Sequence, residues 1–496
     1  MANHVGKIIR GTGFIFAATF IAALFSYGTR VIVARKLGPE QYGLFASIYT
    51  FILFFLFFRD LGLGTALVNY VTKARIEGNY NKIKTALVSV FTLQFLSSSL
   101  IGILIIFFSS YLSAHYFKVP ESRIILLIMV AYTMTSILYT IPKALLNSFQ
   151  KTILFSSMEP AKNLFILLCT LLLFHYGYDG LIAVAIPYAI LSVIFFFIYQ
   201  PFAQKQLHFF KHKIVNLKET TKELLTFGLP LMAADIGGKV IGYTDTLMLT
   251  YFVSLTEVGI YNVVLPSALF FIQISRAISA IVFPISTELH YKKDTAKLAK
   301  GVSLLHNYCF ALIIPLIFIL FAFTGFFLDL FFGADYVAGA LAFRILLVGS
   351  MFFILASVNN IIISSMGEPK QVTKIILLSA VLNVGLNFFL IPLFGINGAA
   401  VATTLAYLLS LVLSTLKLSR TLNIPAPYLQ WGKLLLMAAL FVMVIFYTTH
   451  ILALHAYVEI ILSSIIATLV YTLLLYLFRI IDFQDLKLNL LKVFKK

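Results

Sequence analysis

Gly177-Tyr178-Asp179-Gly180-Leu181-Ile182-Ala183 opens a run that continues to Tyr199 without a further charged residue. A helix needs about 20 mostly apolar residues to cross the hydrocarbon core of a bilayer, and positions 180–199 supply them. The opening pattern returns 218 residues later, at Gly395-Ile396-Asn397-Gly398-Ala399-Ala400-Val401, again ahead of an apolar run. One stretch therefore predicts both a membrane span and a duplication.

The whole chain extends the first of these readings. Its 496 residues are 61% apolar, 15% aromatic and 11% charged, with a mean hydropathy of +0.99. A soluble domain is roughly 45–50% apolar and about 25% charged, so this chain lacks the polar skin a cytosolic enzyme requires. Fourteen membrane spans are predicted, at 11–33, 42–67, 85–110, 123–145, 153–175, 180–199, 224–250, 258–285, 302–325, 340–365, 372–391, 397–416, 433–453 and 457–478. The first is read as an uncleaved helix, because it is too long for a signal-peptide core and shows no clean cleavage site before Arg30. Cys169 and Cys309 both lie in apolar runs, which offers neither a disulfide framework nor a Cys-rich metal site.

A second match places the duplication more firmly. Val31-Ile32-Val33-Ala34 and Tyr42-Gly43-Leu44-Phe45 correspond to Leu247-Met248-Leu249-Thr250 and Val258-Gly259-Ile260-Tyr261 at an offset of 216. The offset spans six crossings, an even number, so both copies enter the membrane in the same direction. Parallel repeats of this kind are related by an axis along the membrane normal, with the substrate site between them near the midplane. The expected fold is an all-α integral membrane protein with about 14 transmembrane helices, built as two parallel six-helix repeats plus two extra C-terminal helices. The expected domains are an N-terminal bundle at 1–199, a basic cytoplasmic linker at 200–223, a C-terminal bundle at 224–420, and spans 13 and 14 with a basic tail at 421–496.

The charge of +18 reads as topology. Of 37 Lys and Arg residues, 28 fall in segments on the face carrying both termini and only four, Arg35, Lys36, Lys118 and Arg123, on the other. By the positive-inside rule the first face is cytoplasmic, giving a multi-pass protein of the cell membrane with both termini inside. Nucleic acid is not an expected partner. The basic, aromatic stretch from Lys205 to Lys213 is read as lying on anionic lipid headgroups.

Five basic residues remain inside spans: Arg30, Arg59, Lys239, Arg276 and Arg344, with the acids Asp60, Asp235 and Asp245. A charge at the centre of a membrane helix costs at least about 2.5–3.5 kcal/mol, so such residues face a bundle interior or a water-filled cavity. Seven of these eight lie on the first two spans of each repeat. Arginine presents a planar fork that matches phosphate bidentately and stays charged when partly dehydrated. Arg30, Arg59 and Arg276 are accordingly candidates for a cationic cavity holding a phosphate-bearing cargo, with the polar Asn69, Gln273 and Asn262 as further candidate contacts. The alternative is structural: Arg59 pairing with Asp60, and Arg30 and Arg344 snorkelling to the interface. On span 7, Pro230 with Gly237, Gly238 and Gly242 predicts a bend or break. Asp235 and Lys239 there can pair at i,i+4, and Asp60, Asp235, Lys239 and Asp245 are candidates for cation or proton coupling. Phosphate-loop, HExxH and GxSxG motifs are absent, so no catalytic residue, metal or cofactor is expected.

The run Val33-Ala34-Arg35-Lys36-Leu37-Gly38-Pro39-Glu40-Gln41-Tyr42-Gly43-Leu44-Phe45 resembles the span 1–2 signature of polysaccharide-export and O-antigen-type flippases. Arg59-Asp60-Leu61-Gly62-Leu63, Gly367-Glu368-Pro369-Lys370 and Phe394-Gly395-Ile396-Asn397-Gly398-Ala399-Ala400 are similar to the same group, within the multidrug/oligosaccharidyl-lipid/polysaccharide exporter superfamily. The resemblance covers essentially the whole chain. It implies a V-shaped pair of six-helix bundles and alternating access. The cargo it implies is a polyprenyl-pyrophosphate-linked oligosaccharide, moved from the inner to the outer leaflet. It also implies cavity arginines on spans 1, 2 and 8, where Arg30, Arg59 and Arg276 are similarly placed, and a lipid-facing groove made by the last two spans. A monomer working beside membrane lipids and glycan-assembly enzymes is expected. The rivals are a cation-coupled multidrug exporter, which predicts an acid-dominated cavity, and a membrane glycan ligase or polymerase, which needs a large external loop.

Overall fold

A computed structural model describes residues 2–178, 180–425, 428–452 and 455–478. Among them the chain is helical, without a strand. The helices are α1 (Ala2–Asp60), α2 (Leu63–Ile76), α3 (Tyr80–Tyr111), α4 (Ser122–Ser148), α5 (Thr152–His175), α6 (Leu181–Gln204), α7 (Leu217–Phe252) and α8 (Leu255–Ala268). They continue as α9 (Ile272–Tyr291), α10 (Thr295–Ala322), α11 (Thr324–Phe332), α12 (Ala340–Ser365), α13 (Pro369–Leu422), α14 (Tyr428–Leu452) and α15 (Ala456–Leu477). Twelve continuous helical segments among the described residues are long and apolar enough to cross a membrane. Two of these, of 64 and 54 residues, have the length for two crossings each, which reconciles twelve segments with fourteen predicted spans.

Both long segments turn at a glycine. Gly38 in α1 has φ 75° and ψ 170°, and Gly395 in α13 has φ 56° and ψ −133°. Only glycine takes such values at little cost, and Pro39 then restarts the helix with its φ already set. Gly177, the partner of Gly395 in the duplication, shares a positive φ of 80°. Burial follows the other match: Val33 (2%) and Leu249 (0%), Ala34 (0%) and Thr250 (2%), and Leu44 and Ile260 (both 4%) are equivalent and equally enclosed.

Of the bend or break expected in span 7, the break is not found. Helix α7 is continuous from Leu217 to Phe252 with Pro230 inside it. A proline removes one backbone hydrogen bond, whereas opening the helix in a membrane would leave several polar groups without partners. Gly228, two residues earlier, is held by packing: a Cβ there would meet the Leu61 carbonyl oxygen at 2.8 Å.

The chain packs as two compact units, Met1–Val263 with Val384–Ala399, and Val264–Asn383 with Ala400–Lys496. In the first, one core joins α2, α3 and α7 through Leu63, Leu67, Val71, Ile83, Leu87 and Leu224. A second joins α1 and α4 through Leu44, Ile48, Ile52, Ile125 and Met129, and a third joins α4, α5 and α6 through Tyr139, Leu146, Met158, Leu191 and Phe195. In the second unit a buried polar relay fastens α10, α12 and α13. His306 Nε2 lies 2.7 Å from Asn359 Oδ1, and Asn359 Nδ2 donates to Ser414 Oγ (3.2 Å) and Thr415 Oγ1 (2.9 Å). Arg344 is half-buried, and its Nε donates to the Phe321 carbonyl (3.1 Å) at the C-terminal end of α10. Apolar side chains such as Phe107 (78% exposed) and Leu100 (62%) cover the outside, which suits lipid and not water. The protein is a multi-pass membrane protein.

Candidate functional site

Within the first unit, the second half of α1 touches its neighbours at two glycine contacts, separated by about 28 Å of helix. At one end Gly43 and Gly259 lie back to back. A Cβ on Gly43 would fall on the Leu255 carbonyl oxygen, and a Cβ on Gly259 would fall on the Pro39 carbonyl oxygen. Pro39 and Leu255 are themselves equivalent under the 216-residue offset, as are Gly43 and Gly259. The contact is therefore self-complementary, each copy presenting the same patch to the other, as at a two-fold interface. At the other end Gly62, with φ 69°, meets the Gly228 backbone of α7 so closely that a Cβ would overlap the Gly228 carbonyl.

Beside the Gly62 contact lies a cavity of 340 Å³, bounded by Leu53, Phe57, Leu231 and Tyr243 and bearing the charges Asp60, Asp235 and Lys239. Asp60 is held by the buried Gln94, whose Nε2 donates to Oδ1 at 2.7 Å, and by the Gly64 amide at 3.5 Å. Asp235 and Lys239 are exposed to this space, and no ion pair within 4.0 Å joins them. The anticipated i,i+4 pairing is thus not made. The Lys239 ammonium lies 5.8 Å from the centre of the Tyr243 ring instead, a cation–π contact that leaves its donors open.

Arg59, the residue before Asp60, takes a different course. It is 4% exposed, and its Nη1 donates to Ser136 Oγ (2.6 Å) and the Thr133 carbonyl (3.2 Å) of α4. It does not line the cavity, and its place is in the α1–α4 packing. Arg59→Ala is expected to lower the apparent Tm through loss of about 2–3 kcal/mol of charge-assisted hydrogen bonding. Thermal unfolding of the detergent-solubilised protein checks this; an unchanged Tm with lost transport would return Arg59 to the binding site.

Arg30 is half-buried on α1, with Nη1 donating to the Asn262 carbonyl at 2.7 Å. That bond fixes the guanidinium plane and leaves Nε and Nη2 for another acceptor. The Asn262 side chain is committed elsewhere, to Thr246 Oγ1 and the Val258 carbonyl, so Asn262 positions Arg30 through its backbone. Tyr49 lies within electrostatic reach of Arg30 and of Tyr132, Tyr188 and Tyr243. The Tyr49 and Tyr188 rings are 5.1 Å apart, and those of Tyr132 and Tyr188 6.1 Å. These half-buried phenols form an aromatic patch drawn from α1, α4, α6 and α7 that sequence reading missed, because tyrosines far apart in the chain carry no spacing signal.

Asp245 is enclosed, at 1% exposure. Tyr261 Oη donates to its Oδ2 and Asn387 Nδ2 to its Oδ1, both at 2.6 Å. Glu159, not singled out in the sequence, is paired with Lys143 and Lys162, which hold its two oxygens at 2.5 and 2.6 Å. In the second unit Arg276 is exposed, its Nη1 3.4 Å from Gln273 Oε1. Asn69 is exposed on α2.

A family model described as "Polysaccharide biosynthesis protein" matches residues 8–290, more than half of the chain. A membrane protein of Methanocaldococcus jannaschii, of uncharacterised function, is 24% identical over 507 aligned residues covering 100% of both chains. A Haloferax volcanii protein named "Probable low-salt glycan biosynthesis flippase Agl15" is 25% identical over 264 residues, 53% of this chain and 55% of its own. The solved structure "Lipid II flippase MurJ, inward closed conformation" superposes with a TM-score of 0.75 at 17% identity, over 94% of this chain and 99% of its own. That last likeness is one of fold. The resemblance read from the motifs at spans 1 and 2 is borne out.

Proposed function

The chain belongs to the polysaccharide biosynthesis protein family, and from that premise we propose that it is a flippase for a lipid-linked, polyprenyl-pyrophosphate-bearing oligosaccharide. The cargo passes from the inner to the outer leaflet by alternating access while its polyprenyl tail stays in lipid. The observation that carries this reading is the Arg30 fork, oriented by the Asn262 carbonyl and set beside a tyrosine patch. A guanidinium with two free donor edges suits a phosphate, and phenol rings offer sugars an apolar face with a hydroxyl at its rim. Lys239 adds a second unpaired cation in the same unit. Arg276 is an exposed donor in the other unit and is tested on its own. The division into duplicated bundles at 1–199 and 224–420, and the placement of both termini in the cytoplasm, belong to the same proposal. With the cell interior negative, an anionic headgroup is driven outward by about 2.3 kcal/mol per charge per 100 mV.

The two glycine contacts serve as the gates. Each closes by backbone touching backbone, and opening either one exposes the charged cavity to a different side. Coupling to a cation or proton, if present, falls to Asp60 and Asp235, which reach the cavity, in preference to the enclosed Asp245.

One observation favours a second reading. The described cavity holds two acids and one base, which suits a cation-coupled exporter of small molecules. The experiment that separates the readings is reconstitution of the full chain in proteoliposomes with a fluorescent polyprenyl-pyrophosphate oligosaccharide and an impermeant quencher. Cargo-dependent protection from quenching is expected. Absence of flipping, together with ion-driven uptake of an organic cation, would overturn the flippase.

A further inference from the structure

The basic stretch after α6 is not a loose linker. It is strapped onto the start of α3. Lys213 N donates to Asn81 Oδ1 (2.9 Å) and Val215 N to Thr85 Oγ1 (2.9 Å), while Lys84 Nζ donates to the His212 carbonyl (2.7 Å). The Tyr80 and His212 rings stack at 5.4 Å, and the Lys84 ammonium sits 4.7 Å from the centre of the Phe209 ring. The strap thereby closes one end of an apolar groove of 670 Å³ between α3, α4 and α6, walled by Phe91, Pro142, Phe196, Phe197 and Phe209. The lining on α6 runs from Phe196 to Gln204, about 12 Å of helix, most of the depth of one leaflet in a hydrocarbon core about 30 Å thick.

Basic residues adjoin the lining in sequence: Lys205 follows Gln204 and Lys211 follows Phe210. Lys205, Lys211 and Lys213 are exposed, and none of them has a carboxylate within 4.0 Å among the described residues. Beside them Phe210 is 88% exposed on the strap. Exposed lysines next in sequence to the lining of an apolar slot match one ligand chemistry, an anionic headgroup on a hydrocarbon chain. We propose that this groove is a binding site for one anionic phospholipid of the surrounding leaflet. One acyl chain lies between α3, α4 and α6, and the phosphate sits at Lys205, Lys211 and Lys213. The site is separate from the charged cavity and does not depend on what the protein transports.

The test reconstitutes the full chain in nanodiscs of equal dioleoyl phosphatidylglycerol and dioleoyl phosphatidylcholine, extracts it in detergent, and counts retained lipids by native mass spectrometry. The wild type is expected to retain phosphatidylglycerol over phosphatidylcholine by at least about tenfold, within the roughly 30-fold that two surface lysines supply. Lys205→Gln/Lys211→Gln/Lys213→Gln, confined to exposed side chains, is expected to abolish the preference. Leu138→Trp, which fills the groove, is expected to abolish retention of either lipid. Equal retention of the two lipids by the wild type, or wild-type retention by both variants, would overturn the proposal. So would displacement of the phosphatidylglycerol by one equivalent of polyprenyl phosphate, which would give the groove to the transported lipid.

Discussion

A leucine at Gly43 is expected to reduce transport by about 100-fold while the protein still inserts and folds. The added side chain cannot turn aside, because it meets the backbone carbonyl of Leu255 and the Gly259 amide nitrogen, the latter 2.8 Å from the first added atom. Overpacking a core that can relax costs about 1–3 kcal/mol. Against backbone the upper end applies, and about 3 kcal/mol shifts a two-state equilibrium by more than 100-fold. A transporter that must visit the conformation closed at Gly43 then turns over in proportion to its lost population. Gly259→Leu is expected to do the same, since its added atom meets the equivalent Pro39 carbonyl. A cysteine introduced at Tyr243, on the cavity wall, should become reactive toward an impermeant maleimide applied from outside in either leucine variant. Gly385→Ala is the control: no atom lies within 4 Å of the added Cβ, and alanine is the better helix former, so activity within about twofold of wild type is expected. Normal flipping and unchanged labelling in Gly43→Leu would exclude this contact as a gate.

The second large effect is expected at Arg30. Arg30→Ala removes a fork already aligned by the Asn262 carbonyl, and hydrogen bonds to a charged group contribute about 1.5–3 kcal/mol each. Cargo affinity in the proteoliposome assay should fall by about 10- to 100-fold. Arg30→Lys should recover only part of this, because an ammonium keeps the charge and loses the planar pair of donors. Arg276→Ala, measured separately, should also weaken cargo binding. If Arg30→Ala flips cargo normally while Asp60→Asn and Asp235→Asn abolish export of an organic cation, the acid-bearing cavity belongs to a cation-coupled exporter.

Several features were legible before any coordinate. The helical, multi-pass fold followed from run length and charge density, because a bilayer admits little besides helices once backbone polar groups must be satisfied internally. The duplication was legible in two short matches, and the equal burial of Val33 and Leu249, or of Leu44 and Ile260, shows that equivalent sequence met equivalent packing. Membrane charges could be found by elimination, but their partners could not. Arg59 and Asp60 are neighbours in the chain, yet one turns into α4 and the other into the cavity. On a helix, adjacent residues point about 100° apart, so their roles depend on which face meets a neighbour. On span 7 the proline and glycines predicted a bend or a break, and α7 runs unbroken from Leu217 to Phe252.

The sequence by itself determined that this protein lives in a membrane, that it was built by doubling, which family it resembles, and which few charges are costly enough to require a reason. Those properties depend on composition, periodicity and local pattern, which a linear string carries. The tertiary structure alone decided that Gly43 and Gly259 touch, that Arg59 is buried against α4 while Arg30 is half-buried beside the Asn262 carbonyl, that tyrosines from four helices share one patch, and that the basic linker is strapped over an apolar groove. Each of these depends on the facing of helices distant in sequence, which is set by how side chains pack.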